Sequence, residues 1–275
     1  MKPARIVDCH AHIIDPVRFP LSGDQGYKPR PEETGTCEQY CAVLDRHGID
    51  CALLVQLSGY GTDNSILVDA MQRYPRRFKA IGVVDDGVGD AELEALTLAG
   101  FVGLRFNLVS YARDALSRPE SRRLLQRMKT LGLFAQVFAH DEQWPEIAAT
   151  MRAAGVRVLV DHFGIRDLAG GTKRAGFQAV LALARDGLAA IKLSAPFRIA
   201  SASDYRDLDP VVEVLLKQVG PSGLMWGSDW PFTGLAHRPT YADTMAPWSR
   251  WLASAEDREQ VLWRTPARLF GFEDR

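Results

Sequence analysis

Ile6-Val7-Asp8-Cys9-His10-Ala11-His12 reads as an apolar strand that runs into two histidines. Side chains alternate across a strand, so His10 and His12 share a face. The pattern returns in mid-chain as Val158-Leu159-Val160-Asp161-His162, and near the C-terminus as Leu224-Met225-Trp226-Gly227-Ser228-Asp229-Trp230-Pro231. Polar residues gathered at the C-terminal ends of separate strands are how a barrel enzyme builds its site.

Working outward from these three stretches, apolar runs of strand length fall at 6–12, 52–57, 78–84, 102–107, 133–138, 156–162, 189–194 and 224–229. Amphipathic stretches such as 37–47, 64–74, 121–131, 144–154, 176–185 and 209–219 separate them. Short buried-type strands alternating with helices imply a parallel sheet. Eight such units in 275 residues predict an α/β fold, a single-domain (β/α)8 TIM barrel over 1–275. An open doubly wound sheet is the alternative. No GxGxxG or P-loop follows the first strand, which argues against a nucleotide-binding version. The stretch 15–36 is rich in Pro, Gly and charge, and reads as a long loop arching over the site.

A net charge of −1 supplies no global field for nucleic acid or an acidic membrane, so an anionic ligand needs local arginines. The four cysteines, Cys9, Cys37, Cys41 and Cys51, form no CxxC pair and read as reduced thiols. The N-terminus shows no apolar signal core and no run long enough to span a bilayer, so a cytoplasmic location is expected. Monomer and homodimer are not separated by the sequence.

His10, His12, His162 and Asp229 suit two chemistries. They are ligand types for a divalent metal such as zinc, and equally proton-transfer and carbonyl-polarising groups that need none. Asp8, two residues before His10, is expected on the same face, either orienting a histidine or capping strand-end amides. Arg105 ends the fourth strand and Arg198 follows the seventh. Each is suited to fork a carboxylate or to pair at the surface. Thr62 and Asn64 follow the second strand, with Asn64 the expected helix N-cap. Ser58 and Ser194 stand at strand ends with no base beside them, so no serine nucleophile is expected.

The chain resembles the amidohydrolase superfamily, in the branch of 2-pyrone-4,6-dicarboxylate hydrolase and related lactonases. The resemblance runs over nearly all of it. It rests on Asp8-Cys9-His10-Ala11-His12, Gly61-Thr62-Asp63-Asn64, Gly103-Leu104-Arg105-Phe106-Asn107, Asp161-His162-Phe163-Gly164, Lys192-Leu193-Ser194-Ala195-Pro196-Phe197-Arg198 and Gly227-Ser228-Asp229-Trp230-Pro231. It implies hydrolysis of a small anionic lactone with no metal. Asp229 would activate water, while His10, His12 and His162 polarise the carbonyl. Arg105, Arg198, Tyr27, Thr62 and Asn107 would hold the substrate.

Binuclear members of the superfamily carry a lysine on the fourth strand, where this chain has Arg105. Zinc-dependent members carry a histidine on the fifth, where it has Gln136, with His140 just beyond. If metal were present, its ligands would be His10, His12, His162 and Asp229. The hydrolases' basic pair after the fourth strand is replaced by Leu108-Val109-Ser110-Tyr111-Ala112-Arg113, and Arg166 is displaced by one residue. A monocarboxylate or sugar-acid lactone therefore fits as well as a pyrone dicarboxylate. The other readings are a zinc-dependent decarboxylase or hydratase and a sugar-acid lactone isomerase.

Overall fold

The computed structural model describes residues 5–22, 27–109 and 114–272. Eight strands lie in one parallel sheet in sequence order: β1 (Val7–Ala11), β2 (Cys51–Val55), β3 (Phe78–Gly82), β4 (Phe101–Asn107), β5 (Phe134–Phe138), β6 (Val158–Val160), β7 (Ala189–Ser194) and β8 (Leu224–Gly227). The expected barrel is present, with β8 meeting β1 through a bridge between Ala11 and Trp230. Gly227 is needed at this seam, since a Cβ there would lie 2.7 Å from that of His10.

Helices α1 (Cys37–Arg46), α2 (Ser65–Arg73), α3 (Asp90–Leu98), α4 (Pro119–Leu131), α5 (Trp144–Ala154), α6 (Ala175–Arg185) and α7 (Asp209–Gln218) follow the first seven strands, and α8 (Tyr241–Met245) comes after β8. Local chemistry sets their ends. Thr36 and Gln39 form a reciprocal capping box on α1. Gly132 and Gly155 close α4 and α5 in the left-handed conformation. Helix α3 gave little sequence signal because Leu93 alone among its residues is buried.

Two apolar layers result. Val7, Cys9, Leu53, Ile81, Leu159 and Met225 fill the barrel interior. Ala11, Leu54, Ala80 and Val160 face the helices. No helix of the described residues is long and apolar enough to cross a membrane.

The sixth and eighth strands end earlier than expected. His162 takes φ 51° and Asp229 φ 65°, so the chain bends out of extended strand geometry at both places. Ala195, just after β7, does the same at φ 50°. Left-handed backbone in residues with a Cβ is strained, and such strain gathers where a site dictates geometry.

Candidate active site

In β1, Asp8 pairs with Ala52 but Ala11 pairs with Leu54, so three steps on one strand match two on the next. This bulge changes the phase of alternation. Cys9 packs in the barrel interior and His10 points into the same space, while Asp8 turns outward to the helix layer. The expected shared face of Asp8 and His10 is thus corrected by one extra residue. Asp8 touches no imidazole. It accepts from the amides of His10 and Ser228, the Ser228 hydroxyl, Tyr40 Oη at 2.8 Å and Tyr241 Oη at 2.8 Å.

His10, His12, His162 and Asp229 converge at the C-terminal rim, all buried. Asp229 Oδ1 lies 3.6 Å from both His10 Nε2 and His12 Nε2. Its other oxygen accepts from Arg198 Nε at 2.6 Å. Burial alone would raise the Asp229 carboxyl. The Arg198 guanidinium and the nearby histidines outweigh it and hold the group well below the usual carboxylate range.

Each histidine is fixed from behind. His12 Nδ1 donates to Val55 O at 2.8 Å, which turns Nε2 toward Asp229. His162 Nδ1 is 2.9 Å from Ser194 Oγ. Burial lowers His162 to about 4 and pulls His10 well below its ordinary value, so both rings are neutral near pH 7.

Behind His10 lies a second polar layer. Lys192 from β7, Gln136 from β5 and Asp161 from the end of β6 are fully or almost fully enclosed. Lys192 Nζ donates to Gln136 Oε1 at 2.6 Å and lies 3.2 Å from Asp161 Oδ1, and Gln136 Nε2 donates to Asp161 Oδ2 at 3.1 Å. Sequence reading gave neither Lys192 nor Asp161 a role. The available signal was a lysine between Ile191 and Leu193, inside a strand that is otherwise apolar. Gln136, considered only as a metal-ligand substitute, is held in this layer.

Above the histidines opens a cleft of about 430 Å3, within the range of small-molecule sites. Tyr27, Arg105, Asn107 and Arg198 line it, as does Arg166. Tyr27 Oη is tied to the buried Glu33 carboxylate. Arg105 donates to Gln56 O at 2.7 Å, and Asn107 Nδ2 to Ser58 Oγ at 3.2 Å. Arg166 stacks on Phe138, 4.6 Å from the ring centroid, and its charge is disfavoured first by burial and then by Arg198.

Thr62 lines an adjoining cavity, which Ser58, Arg105 and Asn107 share, and not the Asp229 cleft. Asn64 does not cap α2 with its side chain. It bridges Thr62 O and the backbone of Val83, while Asp63 Oδ1 takes the Ser65 amide. Its Oδ1 is turned to the Val83 amide and its NH2 group to two carbonyls, so the side chain is held away from the helix end. Tyr111 and Arg113 lie outside the described residues.

Among the described residues, two groups have spacing that suits a cation: His10, His12 and Asp229; and His10, Asp161 and His162. Their charge environment does not. Asp229 carries Arg198, and Asp161 carries Lys192. A dication would add two charges beside two cations already in place, so the donor set is a poor fit to a resident metal.

Residues 7–272 match the family model described as amidohydrolase. The chain is 28% identical to the 2-pyrone-4,6-dicarboxylate hydrolase of Comamonas testosteroni over 99% of its own length and 92% of the relative's. It is also 28% identical to the 4-sulfomuconolactone hydrolase of Rhizobium radiobacter, over 96% and 89%. A solved structure from Acinetobacter baumannii, described as a probable 2-pyrone-4,6-dicarboxylic acid hydrolase with citric acid bound, superposes with a TM-score of 0.89. The identity is 28%, over 97% of this chain and 99% of that one.

Proposed function

Because the chain belongs to the amidohydrolase family, we propose that it hydrolyses a small anionic lactone without a metal ion. The carrying observation is Asp229 Oδ1, enclosed and 3.6 Å from two imidazole nitrogens, on a carboxyl that Arg198 holds well below its usual range against burial. A water held there loses a proton to Asp229 as its oxygen attacks the lactone carbonyl. Negative charge develops on the carbonyl oxygen, and donors preorganised by His10 and His162 stabilise it. His12 presents a lone pair in its neutral form, so its part is to hold the water beside Asp229. The tetrahedral adduct then collapses, the ring C–O bond breaks, and Asp229 returns its proton to the leaving oxygen. Water and lactone become one hydroxy acid.

Arg166, Arg198 and Arg105 line the cleft and supply the positive charge for substrate carboxylates. Tyr27 and Asn107 line the same wall. The relatives' names specify a pyrone dicarboxylate and a sulfonated muconolactone, and more than one guanidinium lines the cleft to meet such anions.

The test is turnover of 2-pyrone-4,6-dicarboxylate, 4-sulfomuconolactone and sugar-acid lactones by chelator-treated, metal-assayed protein. Hydrolysis of at least one without metal is expected, and Asp229→Asn is expected to lower kcat about 10³-fold with a small change in KM. Hydrolysis only after zinc is restored would overturn the metal-free reading. A wild-type kcat in Asp229→Asn would remove Asp229 as the base.

A further inference from the structure

The hydrolysis above gives Lys192 no task, although an ammonium buried in a barrel core is costly unless paired. Three acceptor atoms surround its Nζ: Gln136 Oε1 at 2.6 Å, His10 Nδ1 at 3.2 Å and Asp161 Oδ1 at 3.2 Å. An ammonium has three protons and no lone pair. His10 Nδ1 can face it only as an acceptor, which places the ring proton on Nε2. Asp161 Oδ1 is also 3.2 Å from His10 Nδ1, but a proton on that nitrogen does not meet it with hydrogen-bond geometry. At the other end of the ring, Nε2 is buried, has no hydrogen-bond partner, and looks toward Asp229 Oδ1.

We propose that Lys192 is a positioning residue that fixes His10 as its Nε2–H tautomer, so that the ring donates to the substrate oxygen and offers no lone pair to a metal. The inference rests on the proposed hydrolysis only for the use made of that proton. A cation at Nε2 requires a proton on Nδ1, aimed at the ammonium. Neutralising Lys192 leaves Asp161 without its counter-charge, lets His10 Nδ1–H turn to that carboxylate, and exposes the Nε2 lone pair beside His12 and Asp229. Beside Arg198 on Asp229, the poor fit to a metal thus has a second source in this one side chain behind the site.

Long-range 1H–15N spectra of histidine-labelled wild-type protein read the tautomer directly, with His10→Asn assigning the signals by their loss. A protonated Nε2 is expected. Lys192→Met, uncharged and of similar length, is expected to move the proton to Nδ1 and to raise zinc affinity about tenfold or more, measured by equilibrium dialysis with metal analysis. A wild-type His10 protonated on Nδ1 overturns the proposal, whatever lactone the enzyme turns over. So does a folded Lys192→Met that keeps the Nε2 proton and the wild-type zinc affinity. If Lys192→Met fails to fold, the wild-type spectrum decides alone.

Discussion

Arg198 Nε meets Asp229 Oδ2 at 2.6 Å, while the two histidine nitrogens face the opposite oxygen, Oδ1, at 3.6 Å. One carboxylate oxygen is anchored and the other is left for chemistry. On the proposed mechanism, the same contact sets the working pH. A carboxylate base acts when ionised, so activity is lost as pH falls through its pKa. Arg198→Met removes the charge that holds this pKa down against burial, so the pKa rises and the acid limb of kcat/KM moves to higher pH. Profiles of both proteins from acid to neutral pH check this. An unmoved limb would mean that Arg198 serves the substrate alone.

Arg166 is the guanidinium to test for a second anionic group. It lines the cleft, stacks on Phe138 and repels Arg198. Arg166→Gln is expected to raise KM for a dianionic lactone about tenfold, the scale of one charge-assisted contact, and to leave a mono-anionic lactone nearly unchanged. Steady-state kinetics on the two substrates separate the outcomes. Equal losses on both would place Arg166 in the shape of the cleft rather than in charge recognition.

How far the sequence carried can be argued from β1. Alternation put His10 and His12 on one face, and both do turn toward Asp229, His12 lining the cleft and His10 fully buried beside it. The same rule failed for Asp8, because a bulge between Asp8 and Ala11 is a property of the pairing with β2, which one strand's pattern does not contain. Strand count and order were legible because eight apolar runs punctuate the chain. The ends of β6 and β8 were not, since His162 and Asp229 bend out of extended geometry through left-handed backbone that composition does not signal. Lys192 was visible as an anomaly, yet its partners Gln136, Asp161 and His10 come from three other strands, and only barrel closure joins them. Asn64 has the identity of a cap, and tertiary hydrogen bonds to Val83 won it over.

His162 links the site to acid stability. In an unfolded chain a histidine titrates near ~6.5, whereas burial lowers His162 to about 4. Between those values the unfolded chain takes up a proton that the folded protein refuses. The contribution is therefore intact above about pH 6.5 and is lost as pH falls toward 4, by at most ~3 kcal/mol. Thermal melts across this window are expected to show a falling Tm, with a shallower slope in His162→Gln. Parallel slopes would mean that His162 gains a proton on folding as readily as in the unfolded chain.

Asp8 closes the barrel, and its removal tests whether the seam or the site depends on it. Five donors converge on one buried carboxylate: the amides of His10 and Ser228, the Ser228 hydroxyl, and the phenols of Tyr40 and Tyr241. They join β1 to β8, α1 and α8, the places where the sheet has a bridge in place of a ladder. Asp8→Asn replaces one acceptor oxygen with an NH2 group that faces donors, and burial leaves no water to relieve the clash. The loss is expected to be about 3 kcal/mol, the scale of a broken buried charged network. It would appear as a lower urea midpoint at unchanged slope. Since Asp8 touches no imidazole ring, the folded fraction should keep the wild-type pH profile. A shifted profile would show that the seam feeds back on His10 through its amide, and a midpoint equal to wild type would mean that barrel closure rests on the Asp229–His10 and His12–Trp230 backbone bonds alone.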